Sequence, residues 1–502
     1  MRPSTTALTT LLATVVAASD RDKYVAKHID KHVDVAIVGA GLSGLSTARR
    51  LAEAGLTYTV LEARSRVGGR TVNAQVNESP SGAQEMGAEY VGPTQDRVLE
   101  LARWLGLKTY KTFERGNTTV WRNGTRTTFK PDEASGGLLP LTPEAEGQVV
   151  PLVEEMSNMA ANLTVGRPWE HPRAVEWDGM TCANFIKDRV SNPDARFVFD
   201  LIFDAVLSVE SHEPSLLYWL SYIASAGNET APGTLARLLQ TDNGAQESRI
   251  VGGTQLLSIK LAERLGLQNI RFNSPVRRIV RGNNKTRRKG SRSHAVYYGN
   301  GKMVMADHVV VAMSPPLAGR IAYEPPLPAK RDQLTQRMPM STIAKMVAIY
   351  PKPFWREDGL NGQALSDEGV TRATFDNSPD DASYGALMGF IGGDEDRRID
   401  QMDESEVRRL ISKDLVRYFG AQAANMTGFL LQRWDLEPYS RGGPVAYAPP
   451  GVLSEYGSAL RQSVGDVHFA GTESSDYWVG YMDGALRSGE RVVEEILHKR
   501  GR

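Results

Sequence analysis

The stretch VDVAIVGAGLSGLSTARRLAEAG, residues 33–55, joins a strand pattern, a glycine turn and a helix pattern without a break. The apolar run Val33–Val38 predicts a buried strand, and the periodicity after the turn predicts a helix over Ser43–Ala54. The next apolar run, Thr57–Ala63, predicts a second strand. Strand, helix and strand in this order form a βαβ unit, which implies a parallel sheet and an α/β fold.

Three glycines in the turn, Gly39, Gly41 and Gly44, have the spacing G-x-G-x-x-G. In a dinucleotide site the first permits the tight turn, the second lets phosphate approach the backbone, and the third lets the helix pack on the strand. Glu62 ends the next strand and can accept hydrogen bonds from ribose hydroxyls. The sequence therefore predicts a dinucleotide site, and these features leave NAD and FAD both open.

Strand and helix patterns resembling this first unit return at the far end of the chain, after a long middle part of mixed character. We therefore expect a mixed α/β (α+β) fold of two interwoven domains. The predicted Rossmann-like cofactor domain comprises 33–109, 251–325 and 437–500. The predicted substrate domain, a mixed sheet with helices, comprises 110–250 and 326–436.

The charge balance limits the classes of partner. Fifty-nine basic residues offset 59 acidic residues, which argues against a nucleic-acid or membrane-surface binder. No apolar run of about twenty residues occurs, so no membrane span is expected. Cys182 is the only cysteine, which excludes an intrachain disulfide and a cysteine-based metal site. We expect no bound metal.

The first residues resemble a secretory signal. A basic residue, a short apolar region and small residues follow one another over 1–18, although four threonines weaken the pattern. Seven N-x-S/T sequons support export, and they begin at Asn77, Asn117, Asn123, Asn162, Asn228, Asn284 and Asn425. The sequence thus predicts a secreted, N-glycosylated protein.

The segment EARSRVGGRT, which follows the second strand, resembles the flavin monoamine oxidase pattern, and further segments extend the resemblance over nearly the whole chain after residue 33. These segments include GAEYVGPTQDR, NGAQE, STIAKMVAIY and FAGTESSDYWVGYMDGALRSGE. The resemblance implies FAD as the cofactor and a fungal, secreted type of amine oxidase. It also implies oxidation of a neutral amine with oxygen, which yields a carbonyl compound, ammonia and hydrogen peroxide.

The resemblance assigns roles residue by residue. Lys345 and Tyr481 correspond to catalytic positions, with the lysine hydrogen-bonding a water at the flavin. The substrate positions are Gln246, Tyr90, Pro444 and Tyr481. The cofactor positions are Gly39, Gly41, Gly44, Glu62, Arg64, Gly69, Arg70, Val276, Trp434, Gly471, Glu473 and Met482. The sequence adds that Arg70 could place a cation near the diphosphate.

Structural alternatives stay open for several of these residues. A lysine in an apolar strand is costly unless it is paired or lies beside a cofactor, but Lys345 could also reach solvent from an edge strand. Gln246 could be a structural amide, and Val276 could simply pack within its strand. Tyr90 and Trp434 fit core packing as well as they fit a cavity.

The stretch YSRGGPVAYAPPG, residues 439–451, departs from the family. Alignment places Gly443 where mammalian relatives attach FAD through cysteine, and Pro444 where they have a tyrosine. We therefore expect FAD to be held without a covalent bond, beside a wider amine channel. Such a channel would admit a long-chain aliphatic amine or an amino-polyol of the fumonisin type.

Other functions compete with this one. Polyamine and L-amino acid oxidation are the enzymatic alternatives, although no arginine in the motifs is assignable as a carboxylate clamp. A non-catalytic flavin-binding protein is an alternative of a different class. Amine and oxygen are the expected partners, and a homodimer is common in the family.

Overall fold

The computed structural model describes residues 29–79, 81–131, 139–282 and 293–501. The predicted signal peptide at 1–18 and the sequon at Asn284 lie outside the described residues. Within these four ranges, no helix combines the length and the apolar character that crossing a lipid bilayer requires.

Strands form two main sheets and two small ribbons. The strands are β1 (Ile29–Val38), β2 (Tyr58–Leu61), β3 (Asn73–Gln75), β4 (Ala83–Glu85), β5 (Thr109–Lys111), β6 (Asn117–Arg122), β7 (Thr125–Phe129), β8 (Ser248–Ile250), β9 (Ile270–Arg271), β10 (Val276–Val280), β11 (His294–Tyr298), β12 (Lys302–Ala312), β13 (Ala322–Glu324), β14 (Ile343–Tyr350), β15 (Leu360–Ser366), β16 (Ala373–Asp376), β17 (Gly385–Gly392), β18 (Gly428–Arg433) and β19 (Val467–Ala470).

The helices are more numerous in the middle of the chain. They are α1 (Leu42–Glu53), α2 (Asp96–Trp104), α3 (Pro143–Ala161), α4 (Ala174–Asp178), α5 (Cys182–Lys187), α6 (Pro193–Leu207), α7 (Leu216–Ser225), α8 (Leu235–Leu239), α9 (Gln255–Leu265), α10 (Pro315–Ala318), α11 (Ala329–Arg337), α12 (Phe354–Glu357), α13 (Gly393–Ile399), α14 (Glu404–Phe419), α15 (Val452–Tyr456) and α16 (Met482–Lys499). Residues of α3 to α8 share one buried apolar cluster.

The first sheet contains the glycine turn. Its order is β13-β10-β11-β12-β1-β2-β9, and β19 also pairs with β12. β1 pairs in parallel with β12 and β2, as the βαβ pattern predicted. The second sheet has the order β18-β14-β17-β16-β15-β6-β7 and is mostly antiparallel, with β15 and β6 parallel. The mixed α/β fold is therefore confirmed. In the first sheet β9, β2, β1, β12 and β19 are parallel, whereas β11 is antiparallel to β10 and β12.

The two ends of the described chain pack against each other. Ser43 Oγ on α1 lies 2.8 Å from Ser488 Oγ on α16, and the Gly471 N–H donates to Ser43 Oγ at 2.9 Å. A Cβ at Gly489 would come within 2.5 Å of the Ser43 carbonyl oxygen, so glycine permits this close helix packing. The C-terminal helix thus packs directly on the first helix of the βαβ unit.

One predicted boundary was short of the observed one. β1 begins at Ile29 rather than at Val33, because residues 29–32 pair with β12 although they lack a strand pattern of their own. The first sheet draws its strands from 29–61, 270–324 and 467–470, and the second from 117–129 and 343–433. The domain boundaries themselves stay a prediction.

A buried histidine pair lies in the first sheet. His308 Nδ1 on β12 is 3.3 Å from His468 Nε2 on β19, and His468 Nδ1 is 3.1 Å from the Glu495 carboxylate. Asp466 lies 4.0 Å from His308, and Arg500 Nε lies 3.5 Å from its other ring nitrogen. Burial, and next the neighbouring His468, lower the pKa of His308 to about 4. Burial also lowers the pKa of His468.

Acid should therefore weaken the fold through this pair. The unfolded chain binds protons on these histidines near pH 6.5 while the folded chain does not, so stability is complete above that pH and falls as the pH drops toward 4. We expect His308 to remove about 2 kcal/mol of unfolding free energy between pH 7 and 4.5. Urea unfolding at several pH values measures this. A His308→Leu variant should lose part of the pH dependence, and parallel curves for the two proteins would contradict the prediction.

Candidate functional site

A cavity of 1390 Å³ is lined by residues of both main sheets. Its walls include the glycine turn after β1, the faces of β14, β16 and β17, helices α6 and α7, and the start of α16. Small-molecule pockets commonly have volumes of about 300–1,000 Å³. This cavity therefore has room for a long cofactor and a second molecule.

The glycine turn forms a part of the cavity that a phosphate group fits. Gly39 has a φ of +103°, where a side chain would lie 2.8 Å from the Ala312 carbonyl oxygen, and a Cβ at Gly44 would lie 2.0 Å from that of Gly39. Gly41 is different, with a φ of −73° and Gly68 O, 3.9 Å away, as the nearest described atom to an added Cβ. The described chain does not require glycine there, so the space at this helix N-terminus suits a ligand phosphate.

Glu62 lies in the cavity wall at the end of β2 and is 4% exposed. Its carboxylate accepts hydrogen bonds from the Ala40 N–H at 2.7 Å and the Arg64 N–H at 2.8 Å. A carboxylate has about four acceptor positions, so positions remain for ribose hydroxyls. These contacts hold the carboxylate in one orientation beside the glycine turn, where a dinucleotide would need it.

The two arginines predicted to hold the cofactor are both paired with carboxylates. Arg64 forms an ion pair with Glu437. Arg70 pairs with Glu473 at 2.7 Å and donates to the Pro444 carbonyl at 2.7 Å. Arg70 also lies in the cavity wall, and its predicted place near the diphosphate stays a prediction. The nearly fully buried Glu473 carboxylate needs a cation beside it, and Arg70 provides that cation.

The other predicted cofactor residues divide into two groups. Those in the cavity wall are Gly69, Val276, Trp434, Gly471 and Met482. Gly44 and Glu473 lie behind the wall, the first at the packing of α1 and the second beside Arg70. The Trp434 indole N–H donates to the Met86 carbonyl at 2.8 Å, which fixes its ring. A turn that accepts phosphate, a carboxylate for ribose and a long cavity together fit FAD.

Lys345 lies in the cavity wall and is 1% exposed. β14 has β17 on one side and β18 on the other, so the alternative of an edge-strand lysine is excluded. Its ammonium donates to the Gly87 carbonyl at 3.1 Å and pairs with the Glu89 carboxylate. The Phe390 ring lies 5.6 Å from the ammonium. A fixed positive charge therefore stands at the cavity surface.

Sequence reasoning missed the ion pairs behind this lysine. Glu89 lies 2.8 Å from Arg249 Nε, and Arg249 pairs with Glu85 at 2.5 Å. The only available signal was the pair of glutamates in QEMGAEY, within a segment that otherwise reads as buried. The partner arginine belongs to β8, more than 150 residues away, and no local pattern connects the two.

The predicted substrate residues Gln246, Tyr90, Pro444 and Tyr481 all lie in the cavity wall. Tyr481 packs edge-on against Trp478 at 4.8 Å and lies 6.1 Å from the Tyr222 ring. The Gln246 amide donates to the Leu238 carbonyl at 3.0 Å, which turns its oxygen the other way. That oxygen and the Tyr90 hydroxyl are buried without a partner among the described residues. Both can therefore bind a polar group of a ligand.

Cys182 is not part of the cavity wall. It begins α5 in the helical apolar cluster, where its thiol lies 3.6 Å from the Ser215 carbonyl. Gly443, by contrast, lines the cavity, and an added Cβ there would be 3.4 Å from Ile343 and 4.0 Å from Trp434. Within the described part of the chain, no group of histidine, cysteine or acidic residues could hold a metal ion.

These features define a dinucleotide-dependent enzyme whose second ligand meets a lysine and aromatic side chains. A model of the family of flavin containing amine oxidoreductases matches residues 42–497. A probable flavin-containing monoamine oxidase A of Dictyostelium discoideum is 34% identical over 466 residues, which cover 93% of this chain and 98% of the relative. The chain belongs to the flavin-containing amine oxidoreductase family.

Solved structures agree with this assignment. Putrescine oxidase is 30% identical, with a TM-score of 0.85 over 93% of this chain and 99% of that chain. Cyclohexylamine oxidase from Brevibacterium oxydans is 33% identical, with a TM-score of 0.84 over 94% of this chain and 100% of that chain. The predicted family, FAD cofactor and oxidoreductase class are thus confirmed, and the roles of individual residues stay predictions.

Proposed function

We propose that this flavin amine oxidase acts on a primary amine carried by a long aliphatic or amino-polyol chain, such as a fumonisin-like mycotoxin. One amine, one oxygen and one water yield a carbonyl compound, ammonia and hydrogen peroxide. FAD, when bound, takes two electrons from the C–H bond beside nitrogen and passes them to oxygen. The chain's own residues bind and orient the amine and place charge beside the cofactor.

The residues divide this work between them. The Gln246 oxygen and the Tyr90 hydroxyl can orient the amine or a nearby hydroxyl group, because each is buried without a partner among the described residues. Burial raises the pKa of the Tyr90 phenol, and the charge of Glu89 raises it further, so the hydroxyl stays neutral. Lys345 supplies a fixed positive charge at the wall. Aromatic rings keep that part of the cavity dry.

The substrate class rests on one observation, the presence of Gly443 and Pro444 in the cavity wall. A glycine and a proline line the cavity where mammalian relatives are expected to have cysteine and tyrosine. Tyr481 retains its aromatic neighbours Tyr222 and Trp478. Because proline is smaller than tyrosine, we expect the cavity beside Pro444 to leave room for a longer chain.

Peroxide release from a series of primary amines tests this proposal. The series runs from benzylamine through alkylamines of increasing length to amino-polyols, with activity expected to rise toward the longer members. A Pro444→Tyr variant should lower kcat/KM for the longest members by about tenfold or more and spare the shortest. Preference for short arylalkylamines in both proteins would sink the proposed substrate class.

Polyamine oxidation remains a second candidate, because two exposed acidic side chains lie in the cavity wall, apart from the buried Glu62 and Glu89. Glu114 and Asp242 are both exposed there. Burial, and next the charge of Asp242, raise the pKa of Glu114. A second ammonium of a diamine could neutralise this pair. L-amino acids are disfavoured, since Arg70 is already committed to Glu473. A non-catalytic role does not fit the oxidoreductase family.

FAD should dissociate from the protein unmodified when the protein is denatured. The whole sequence has one cysteine, and it is buried in the helical cluster and is not part of the cavity wall. We expect acid precipitation to release free FAD into the supernatant and leave a colourless pellet. Yellow colour that stays with the pellet, or a flavin-bearing peptide after digestion, would contradict a non-covalent cofactor.

We also propose that the protein is exported, N-glycosylated and homodimeric. Four sequon asparagines are exposed: Asn77, Asn123, Asn162 and Asn425. Asn117 and Asn228 are partly buried, and the Asn228 carboxamide oxygen already accepts from Thr230 and Ala231. Glycans should therefore occur mainly at the exposed four. Intact mass before and after glycosidase treatment tests the modification, and light scattering tests the dimer.

A further inference from the structure

We propose that Glu89 is a positioning residue for the reaction, which holds the Lys345 side chain as an ammonium at the cavity wall while the substrate amine beside it is neutral. The inference rests on the proposed amine oxidation and adds a residue to it. Glu89 is assigned no role by the family pattern in the sequence.

Four charged side chains of alternating sign form a continuous row, here called the charge row: Lys345, Glu89, Arg249 and Glu85. Each side chain is at most 2% exposed. Glu89 pairs with the lysine through one oxygen and lies 2.8 Å from Arg249 Nε through the other, and Arg249 pairs with Glu85 at 2.5 Å. The row is electrically neutral, so none of its charges is buried without compensation.

The charge row reaches the cavity wall at its Lys345 end and not at its Glu85 end. Glu85 and Arg249 lie behind the wall, whereas Lys345, Gly87 and Glu89 are all part of it. An ammonium has three N–H donors, and the Gly87 carbonyl and Glu89 take two of them. The third donor remains for the cavity. A purely structural charge row would not require a charged group at the surface of a ligand cavity.

The chemistry requires two similar amines to differ in protonation. An alkylammonium loses its proton near pH 10 whether it belongs to a lysine or to a substrate. Oxidation requires a neutral substrate nitrogen, whereas the proposed role of Lys345 requires a positive charge at the cavity wall. A carboxylate in contact with one of the two amines stabilises its charged form selectively. Glu89 contacts Lys345 and therefore favours the charged form of the lysine without favouring that of the substrate amine.

Other titratable groups facing the row do not replace Glu89. Tyr90, Tyr110 and Tyr384 are its other titratable neighbours, and Arg249 lies 5.4 Å from the Tyr110 ring. Burial raises the pKa of all three phenols, so all three are neutral. Burial also raises the pKa of Glu85 within the row, and the charge of Arg249 opposes that effect. Removing the Glu89 charge would therefore leave the row with a net positive charge, which is relieved when Lys345 releases its proton to the cavity.

The test uses Glu89→Gln in the full FAD-loaded protein. The visible spectrum of the oxidised flavin, recorded against pH without substrate, reports the charge beside it. We expect the alkaline spectral transition to move at least about one pH unit lower than in the wild type, and to be absent in Lys345→Met. The alkaline limb of flavin reduction by amine, measured without oxygen, should move by the same amount. The spectral result does not depend on any amine being a substrate.

Three further variants separate positioning from stability. Asp376 lies on β16, in the same sheet as Lys345, and its side chain is not part of the cavity wall. Asp376→Asn removes a buried carboxylate that accepts hydrogen bonds from Arg356 and Trp355. It should lower the melting temperature but leave the spectral transition in place. Glu89→Asp keeps the charge but withdraws it, and should give an intermediate shift. In a Lys345→Met background, Glu89→Gln should cause no additional shift.

The proposal fails if Glu89→Gln and the wild type titrate alike, or if Asp376→Asn moves the transition equally. If Glu89→Gln does not fold, Glu89→Asp decides the matter: an unshifted transition in that variant overturns the proposal. Absence of turnover with a shifted spectral transition would contradict the proposed function and leave the role of Glu89 standing.

Discussion

Replacing Lys345 with methionine should slow amine-dependent peroxide formation by about 10²- to 10³-fold, with FAD still bound. The side chains have similar length, but methionine cannot donate to Gly87 or carry charge toward the cavity. A preorganised charge in a dry site is worth far more than the same charge in water. Stopped-flow measurement of flavin reduction and reoxidation separates the two half-reactions.

A surface lysine provides the matched control for this substitution. Lys352 pairs with Glu357 in an exposed ion pair, so Lys352→Met should leave both rates within a factor of two. Lys345→Met should also melt at a lower temperature, because Glu89 then lies buried without its cation. Unchanged kinetics together with a lowered melting temperature would show that Lys345 is structural.

A methyl group added at Gly41 should weaken FAD binding by about 10²-fold, or about 2.7 kcal/mol, and leave the apoprotein stable. The nearest described atom to that methyl is 3.9 Å away and the backbone there is ordinary, so the fold accommodates alanine. The methyl would occupy the space where phosphate approaches the helix N-terminus. FAD titration of the apoprotein and its thermal unfolding measure the two effects separately.

The same substitution at Gly44 is the control, because its Cβ would lie 2.0 Å from a backbone oxygen that cannot move aside. Gly44→Ala should therefore destabilise the apoprotein itself. Wild-type FAD affinity in Gly41→Ala would show that the phosphates lie elsewhere, and equal destabilisation by both substitutions would show that Gly41 is a packing residue.

Local patterns in the sequence predicted the parts of the fold that depend on near neighbours. The glycine turn, α1 and the two strands beside it lie within some thirty residues, so spacing alone predicted them within a few positions. The position of Lys345 in a buried strand was predicted for the same reason. The resemblance then supplied the predicted roles of Tyr481, Gln246 and Trp434, each of which lies in the cavity wall.

Contacts between distant segments could not be predicted in this way. Lys345 and Glu89 are 256 positions apart, and His308 and His468 are 160 apart, so no periodicity connects them. The pairing of Arg70 with Glu473 was missed for the same reason, since the two residues are 403 positions apart. Charged residues acquire their roles from the groups that face them across the fold, and a single sequence does not specify those groups.

The packing of α16 on α1 has a consequence for the order of events during synthesis. Ser43 contacts Ser488, which is 445 positions later in the chain, and Tyr481 and Met482 complete the cavity wall. At about 5–20 residues per second, roughly 20 to 90 s of translation separate the first half of the flavin site from the last. The glycine turn is therefore synthesised long before its final partner, and FAD can be bound tightly only after the residues of α16 have been synthesised and folded.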